Sequence, residues 1–145
     1  VTNQAGVARG YYTEDDVKEL HCYMNELLAG QGVKIDAFYY CPHHPEHGIG
    51  KYKVRCHCRK PETGMFEMAE QDFVVDKASS WMIGDKLIDM EAGRNYGVRT
   101  VLVGTGYGAG VHEEQKKKGD FPYDLYADDL LEAYDEINRE TAGNL

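Results

Sequence analysis

The chain has 145 residues and a net charge of −9, from 16 Lys and Arg against 25 Asp and Glu. The length predicts a single domain over residues 1–145, and the acidic balance argues against nucleic acid or an anionic membrane as the main partner. No apolar run reaches the roughly 18 residues that a membrane-spanning helix needs. We therefore expect a cytoplasmic monomer that binds neither nucleic acid nor membrane.

The first half of the chain predicts one clear helix, one strand and a shorter second helix. Thr13 is a typical N-cap with Asp16 in the reciprocal position, and Gly30 is a typical stop. The run 35–40 predicts a strand, and residues 63–71 predict the second helix. Apolar residues of the first helix repeat at helical spacing and predict a buried face of Val17, Leu20, Met24, Leu27 and Leu28.

The second half of the chain alternates between strand and helix patterns. Strands are expected at 80–83, 98–103 and 123–126, and helices at 87–97 and 128–139. Such alternation is typical of βα units, in which helices cover both faces of a parallel sheet. The fold class is therefore predicted as α/β, a Rossmann-like three-layer α/β/α fold with ligands beyond the carboxyl ends of its strands.

The glycine-rich run 104–110 matches a loose dinucleotide-binding fingerprint. It follows a late strand and no strong helix pattern begins there, so we expect a flexible loop without a nucleotide. The basic run 116–118 follows two glutamates and is expected to be a solvated face.

The segment 41–61 carries three of the four cysteines. Two ligand pairs separated by a loop are typical of a tetrahedral zinc site with three thiolates and one imidazole. We predict Cys41, His43, Cys56 and Cys58 as the ligands of a structural zinc, because four protein ligands leave no open position. Reduced cysteines without metal and a disulfide are the alternatives. Other imidazoles near the cluster could replace that of His43: His44, His47 and His57.

Two further patches carry charges that suit a phosphate and a divalent cation. Asp85 and Asp89 lie on one face of the helix start after a strand, a geometry that suits Mg²⁺; a plain acidic cap is the alternative. Arg59 and Lys60 could neutralise a phosphoryl group, and a solvated basic pair is the alternative. A third patch adds a hydroxyl, amides and backbone N–H groups at another strand end: Thr2, Asn3, Gln4 and Ala5.

Together these patches resemble the haloacid dehalogenase superfamily of phosphatases. Thr2 resembles its second motif, Lys60 its third, and Gly84-Asp85 with Asp89 its fourth. The segments Cys41-Pro42-His43-His44-Pro45-Glu46 and Cys58-Arg59-Lys60-Pro61, with the long insert between the ligand pairs, are similar to the heptose bisphosphate phosphatase branch. Histidinol-phosphate phosphatases, which usually have a shorter insert, are the nearest alternative.

The resemblance implies a Mg²⁺-dependent phosphatase that removes the 7-phosphate of a small phosphorylated sugar, heptose 1,7-bisphosphate, through an aspartyl-phosphate intermediate. Thr2 would hydrogen-bond the phosphoryl oxygens, Lys60 would offset their charge, Asp85 would complete the Mg²⁺ site, and Asp89 would support it. The residues expected to bind substrate are Thr2, Asn3, Gln4, Ala5, Arg59, Lys60 and Lys86.

The family's first motif, a central strand followed by Asp-x-Asp, has no counterpart in this sequence. That motif carries the nucleophile and the general acid/base and precedes the second motif. We therefore expect an N-terminally truncated chain that lacks its first central strand and is inactive alone. A non-catalytic, zinc-stiffened binding module is the alternative from another class of function.

Overall fold

The computed structural model describes residues 1–143 and divides the chain into two compact units. Unit 1 is Val1–Val74, and unit 2 begins at Val75. Each contains parallel strands and helices, which confirms the predicted α/β class. Among the described residues, no helix has both the length and the apolar character needed to cross a membrane.

Unit 1 is built around two very short parallel strands, β1 (Thr2–Asn3) and β2 (Tyr40–Cys41). Thr2 lies opposite Tyr40 and Asn3 lies opposite Cys41 in their register. The helices of this unit are α1 (Ala5–Ala8), α2 (Glu14–Ala29) and α3 (Gly64–Asp72), with a 3-10 turn at Gly50–Tyr52.

The start of α2 confirms the predicted capping box. The Asp16 N–H donates to Thr13 Oγ1 at 3.1 Å, and the Thr13 N–H donates to Asp16 Oδ2 at 2.7 Å. The predicted buried face is wrong in part, because Val17 and His21 take the inward positions and His21 stacks on Phe38 with 4.3 Å between ring centroids. Three predicted core residues are instead exposed: Leu20, Met24 and Leu27.

The strand predicted at 35–40 is also wrong over most of its length, since only Tyr40 belongs to β2. The side chain of Asn25 explains why. Its Oδ1 accepts from the Ile35 N–H at 2.7 Å, and its Nδ2 donates to the Ile35 carbonyl at 3.0 Å. A side chain thus satisfies the backbone groups that a strand neighbour would otherwise bind.

Unit 2 has a three-stranded parallel sheet in the order β3 (Trp81–Gly84), β4 (Arg99–Val103), β5 (Leu125–Ala127). The helices are α4 (Leu87–Tyr96), α5 (Gly108–Lys118) and α6 (Leu130–Gly143). All three strands and two of these helices lie within a few residues of their predicted positions.

Side chains alternate across β4 and supply both sides of the sheet with apolar surface. Val101 and Val103 belong to one buried cluster with Ala127 and Ala133. Leu102 belongs to a second with Met90 and Tyr123. Trp81 packs against the first cluster, and the Arg99 guanidinium carbon lies 4.0 Å from the centroid of its ring.

Helix α5 contradicts the prediction of a flexible loop at the glycine-rich run 104–110, because the helix starts within that run. It begins at Gly108, where an added Cβ would collide with the carbonyl oxygen of Val103. Its helical pattern is weak because the buried side of α5 offers only Gln115 and the half-buried Val111 and His112. Residues 116–118 form the last turn and are exposed, which confirms the predicted solvated face.

Candidate functional site

The structure brings together the four side chains predicted to bind zinc. One donor atom from each of Cys41, His43, Cys56 and Cys58 lies within 4.8 Å of all the others. Cys41 is buried at the end of β2, and the other three are half-buried in the loop that follows it. All four cysteines are free, so the disulfide alternative does not describe this structure.

The distances in this cluster fit a tetrahedral metal centre. The Nδ1 atom of His43 lies 3.6 Å from Cys41 Sγ and 3.7 Å from Cys58 Sγ. Zinc with bonds of about 2.3 Å to sulfur and about 2.0 Å to nitrogen separates such atoms by roughly 3.6 Å. The Cys56 and Cys58 sulfurs are 2.8 Å apart, and each pair of sulfur ligands around tetrahedral zinc lies about 1 Å farther apart than this. These residues could therefore hold the ion with little rearrangement.

Burial disfavours the charged form of two thiols in this cluster. It raises the pKa of Cys41 and Cys58, because a thiolate is poorly solvated there without a cation. A bound divalent cation would supply that charge and displace the thiol protons.

The alternative imidazoles are engaged elsewhere. His44 Nδ1 accepts from the N–H groups of Glu46 and His47 at 3.2 and 3.0 Å. His57 contacts Glu67 at 2.9 Å, and hydrogen bonding to that carboxylate raises the pKa of His57. Neither these two imidazoles nor that of His47 belongs to the cluster described above.

The Thr2 hydroxyl lies at the end of a chain of hydrogen bonds. Tyr12 Oη donates to Gln4 Oε1 at 2.6 Å, and Gln4 Nε2 donates to Thr2 Oγ1 at 3.3 Å. Because Thr2 Oγ1 accepts from Gln4, its own proton is directed away from that amide and can be donated to an anion. Ala5, the remaining predicted residue of this segment, is the first residue of α1.

The Asn3 side chain binds the backbone of Lys60. Asn3 Oδ1 accepts from the Lys60 N–H at 2.9 Å, and Asn3 Nδ2 donates to the Lys60 carbonyl at 3.2 Å. This contact was missed by the sequence analysis, which assigned Asn3 to the substrate. Asn3 thus holds the backbone of Lys60, a residue that is 8% exposed and whose ammonium donates to the Val1 carbonyl at 3.3 Å.

Arg59 connects the metal cluster to the same segment. Its guanidinium donates to the carbonyl of His43 at 3.3 Å, and its backbone N–H donates to the Cys56 carbonyl at 3.2 Å. Gly64 lies against Cys58, where an added Cβ would approach the Cys58 backbone to 2.9 Å. The cluster, the predicted phosphate cations and the start of α3 therefore form one packed segment.

Glu14 is a further residue of unit 1 that the sequence analysis missed. Its carboxylate accepts from the hydroxyls of Tyr52 and Tyr40, each at 2.8 Å. These bonds, that of Tyr52 foremost, hold the pKa of Glu14 below its usual value, while burial and the Glu14 carboxylate raise the pKa of Tyr40 to about 12. The three side chains line a cavity of about 420 Å³ beside His43 and Cys58. In the sequence, Glu14 is an acid in the first turn of α2, and such an acid is equally well explained by a favourable interaction with the helix dipole.

In unit 2, Asp89 and Asp85 have different partners. Asp89 is buried, accepts from the Lys86 N–H at 3.2 Å and packs against Gly84, where a Cβ would approach its carboxylate to 2.5 Å. Asp85 accepts from the Tyr107 N–H at 3.0 Å, the one hydrogen bond to its carboxylate within residues 1–143. Asp89 thus serves as a helix cap, and Asp85 keeps one oxygen available for a cation.

The predicted site residues therefore fall into two groups. Thr2, Gln4, Arg59 and Lys60 lie in unit 1 with Asn3, Ala5 and the metal cluster, and Asp85, Lys86 and Asp89 lie in unit 2. Tyr107 belongs to the second group and was not predicted.

Comparison with known proteins identifies relatives over most of the chain. A family model described as HAD-hydrolase-like matches residues 57–133. The D-glycero-alpha-D-manno-heptose-1,7-bisphosphate 7-phosphatase of Burkholderia mallei is 50% identical over 103 residues, which cover 71% of this chain and 54% of that protein. The D-glycero-beta-D-manno-heptose-1,7-bisphosphate 7-phosphatase of Haemophilus ducreyi is 48% identical over 122 residues, covering 83% and 65%.

A solved structure is similar to this chain in both sequence and fold. The D,D-heptose 1,7-bisphosphate phosphatase from B. bronchiseptica, complexed with magnesium and phosphate, is 32% identical and superposes with a TM-score of 0.76. The match covers 95% of this chain and 72% of that one. The chain spans between about half and two thirds of the length of the two curated relatives.

Proposed function

Because the chain belongs to the haloacid dehalogenase-like (HAD-like) hydrolase family, we propose that its parent protein is a cytoplasmic Mg²⁺-dependent phosphatase. Its substrate is D-glycero-D-manno-heptose 1,7-bisphosphate, from which it removes the 7-phosphate. One observation carries this proposal: the strand register places Asn3, which binds Lys60, beside the metal-cluster residue Cys41. The relatives that are 48 and 50% identical carry the name of this activity.

Unit 1 supplies donors for a phosphoryl group. Thr2 donates its hydroxyl proton to a phosphoryl oxygen, because its acceptor side is already engaged by Gln4. Lys60 offsets the negative charge that develops on the transferring group, and the Asn3 amide fixes the backbone that carries it. Arg59 provides a planar cation for the substrate.

Unit 2 supplies the Mg²⁺ ligand. The Asp85 carboxylate suits this ion, since one oxygen is fixed by Tyr107 and the other has no hydrogen-bond partner within residues 1–143. When bound, Mg²⁺ neutralises charge on the phosphoryl oxygens. Asp89 caps the start of α4 by accepting from the Lys86 N–H. The Lys86 ammonium would contact the phosphate.

The Cys₃His cluster holds a structural zinc in this proposal. Its donor set suits zinc, and four protein ligands leave no position at which water could be activated. Free cysteines packed for metal binding also fit a reducing compartment.

The nucleophile and the general acid/base lie outside the 145 residues in this proposal, because the sequence contains no Asp-x-Asp. A segment upstream of Val1 in the parent protein would carry them, which is consistent with the greater length of the relatives. The sequence encoded before Val1 tests this directly. An upstream region without Asp-x-Asp would favour the non-catalytic binding module.

The test of the substrate is turnover by the full-length parent protein. We expect release of phosphate from at least one anomer of heptose 1,7-bisphosphate at a higher kcat/KM than from histidinol phosphate. The two relatives are named for opposite anomers, so both anomers belong in the assay. A preference for histidinol phosphate would contradict the proposal.

A further inference from the structure

The loop that follows β4 wraps around the carboxylate of Asp85. The Tyr107 N–H donates to Asp85 Oδ2 at 3.0 Å. Gly106, the preceding residue, has a φ of 65°, and an added Cβ there would collide with the same carboxylate. Gly108, the following residue, packs on the carbonyl of Val103. The loop backbone therefore approaches Asp85 as closely as glycine allows.

The Tyr107 side chain contacts the residue next to Asp85. Lys86 Nζ lies 4.4 Å from the centroid of the Tyr107 ring, within the range of a cation–π interaction. The ring is 67% exposed, so burial of apolar surface does not explain its position. One residue thus contacts both charged groups that the proposed function places on this strand end.

We propose that Tyr107 is a positioning residue for Asp85 and Lys86. Its backbone N–H fixes Asp85 Oδ2 and so leaves Oδ1 for the cation, and its ring holds the Lys86 ammonium ready for a phosphate oxygen. This inference rests on the proposed function, which makes Asp85 the Mg²⁺ ligand and Lys86 the phosphate contact.

The ring contact is tested by phosphate binding to the full-length parent protein in saturating Mg²⁺, measured by calorimetry. Tyr107→Leu removes the π face and keeps the backbone N–H, so we expect affinity for inorganic phosphate to fall roughly 2- to 5-fold. Tyr107→Phe restores the affinity because it retains the ring. In a Lys86→Met background, Tyr107→Leu has no further effect. An unchanged affinity in Tyr107→Leu, or an equal loss in the Lys86→Met background, overturns the role of the ring.

The backbone contact is tested with Gly106→Ala, which strains the left-handed backbone and places a Cβ against the Asp85 carboxylate, so that the carboxylate and the Tyr107 N–H are pushed apart. We expect Mn²⁺ affinity, measured by electron paramagnetic resonance without substrate, to fall roughly 2- to 10-fold, the loss of one hydrogen bond. Gly110→Ala is the matched control, since nothing lies within 4 Å of its added Cβ. Melting temperatures confirm that both variants fold.

The outcomes distinguish failure of the proposed function from failure of this inference. Wild-type protein that binds neither Mn²⁺ nor phosphate contradicts the proposed function and this inference with it. Wild-type protein that binds both, with Mn²⁺ affinity equal in Gly106→Ala and Gly110→Ala, contradicts the backbone role of Tyr107 alone.

Discussion

The two units of the chain achieve order by different means. Unit 2 has a three-stranded sheet with buried apolar side chains on both faces, such as Val101 and Leu102. Unit 1 pairs only two residues in each of its strands, and side-chain hydrogen bonds from Asn3, Asn25 and Glu14 join its segments. We therefore expect the stability of unit 1 to depend more on polar contacts and on metal binding by its Cys₃His cluster, and that of unit 2 more on its core.

Removal of metal should have the largest effect on the difference in stability between the two units. With a chelator, we expect amides of unit 1 to lose protection from hydrogen exchange while those of β3, β4 and β5 keep it. Structural zinc contributes about 10–16 kcal/mol in small domains, as much as the whole net stability of a typical fold. Peptide-resolved exchange measured by mass spectrometry checks this. Equal loss in both units would show that the cluster does not act locally.

A matched pair of variants identifies the ligands. Cys56→Ser should lower the zinc content of the purified protein, measured by metal analysis, well below one per chain. Cys22→Ser should leave it unchanged, since Cys22 is exposed and lies outside the cluster.

Loss of one charge in each unit should have the next largest effect. Lys60→Met and Asp85→Asn should each lower the kcat of the full-length protein by roughly 10²-fold or more. The first removes the cation that offsets the phosphoryl charge, and the second removes the carboxylate that the proposed function assigns to Mg²⁺. Only Asp85→Asn should also raise the Mg²⁺ concentration needed for half-maximal activity. Lys117→Met, in the exposed last turn of α5, is the control. A loss of less than about tenfold in either variant would contradict its assigned role.

Asn3 distinguishes positioning from substrate binding in unit 1. Asn3→Ala removes two hydrogen bonds to the Lys60 backbone, so we expect kcat to fall roughly tenfold with little change in KM. Steady-state kinetics checks this, with the exposed Asn138→Ala as control. A rise in KM at constant kcat would return Asn3 to the substrate-binding role that the sequence suggested.

Glu14 gives the smallest effect and adds a dependence on pH. The hydroxyls of Tyr52 and Tyr40 lower the pKa of Glu14 below 4.5, so its charged form stabilises the fold above that pH. The contribution is lost as the pH falls through the lower folded value. At neutral pH, Glu14→Gln should reduce the free energy of unfolding by about 1 kcal/mol, a figure that allows for partial solvent screening.

Urea titrations of Glu14→Gln and the unchanged protein check this prediction. The difference between them should shrink towards zero as the pH falls through the lowered pKa of Glu14, below which both side chains are neutral. A difference that persists there would point to packing in place of charge.

The sequence predicted elements and residue types better than it predicted partners. The strands of unit 2 were predicted because runs such as 98–103 are almost wholly apolar or β-branched. The metal cluster was predicted because its Cys and His residues fall in two close pairs separated by a loop. The strand at 35–40 failed because Asn25 replaces a strand neighbour, which no local pattern reveals.

The missed site residues share one cause. The contact between Tyr107 and Asp85 uses a backbone N–H, which every residue but proline carries, so the sequence offers no signal for it. The Asn3 amide carries donors and an acceptor that suit substrate or backbone equally, and only the fold shows that it binds Lys60. Side-chain chemistry was therefore predictable, and the pairing of those side chains over long separations was not.

The position of Trp81, which packs against Arg99, allows the two units to be distinguished by fluorescence without a label. Trp81 is the one tryptophan in the sequence, and it lies at the first residue of β3 in unit 2. Excitation at the red edge of indole absorption therefore reports on unit 2, while tyrosine emission reports on both. An emission spectrum followed during chelation would show whether the environment of Trp81 in unit 2 changes when metal is removed from unit 1.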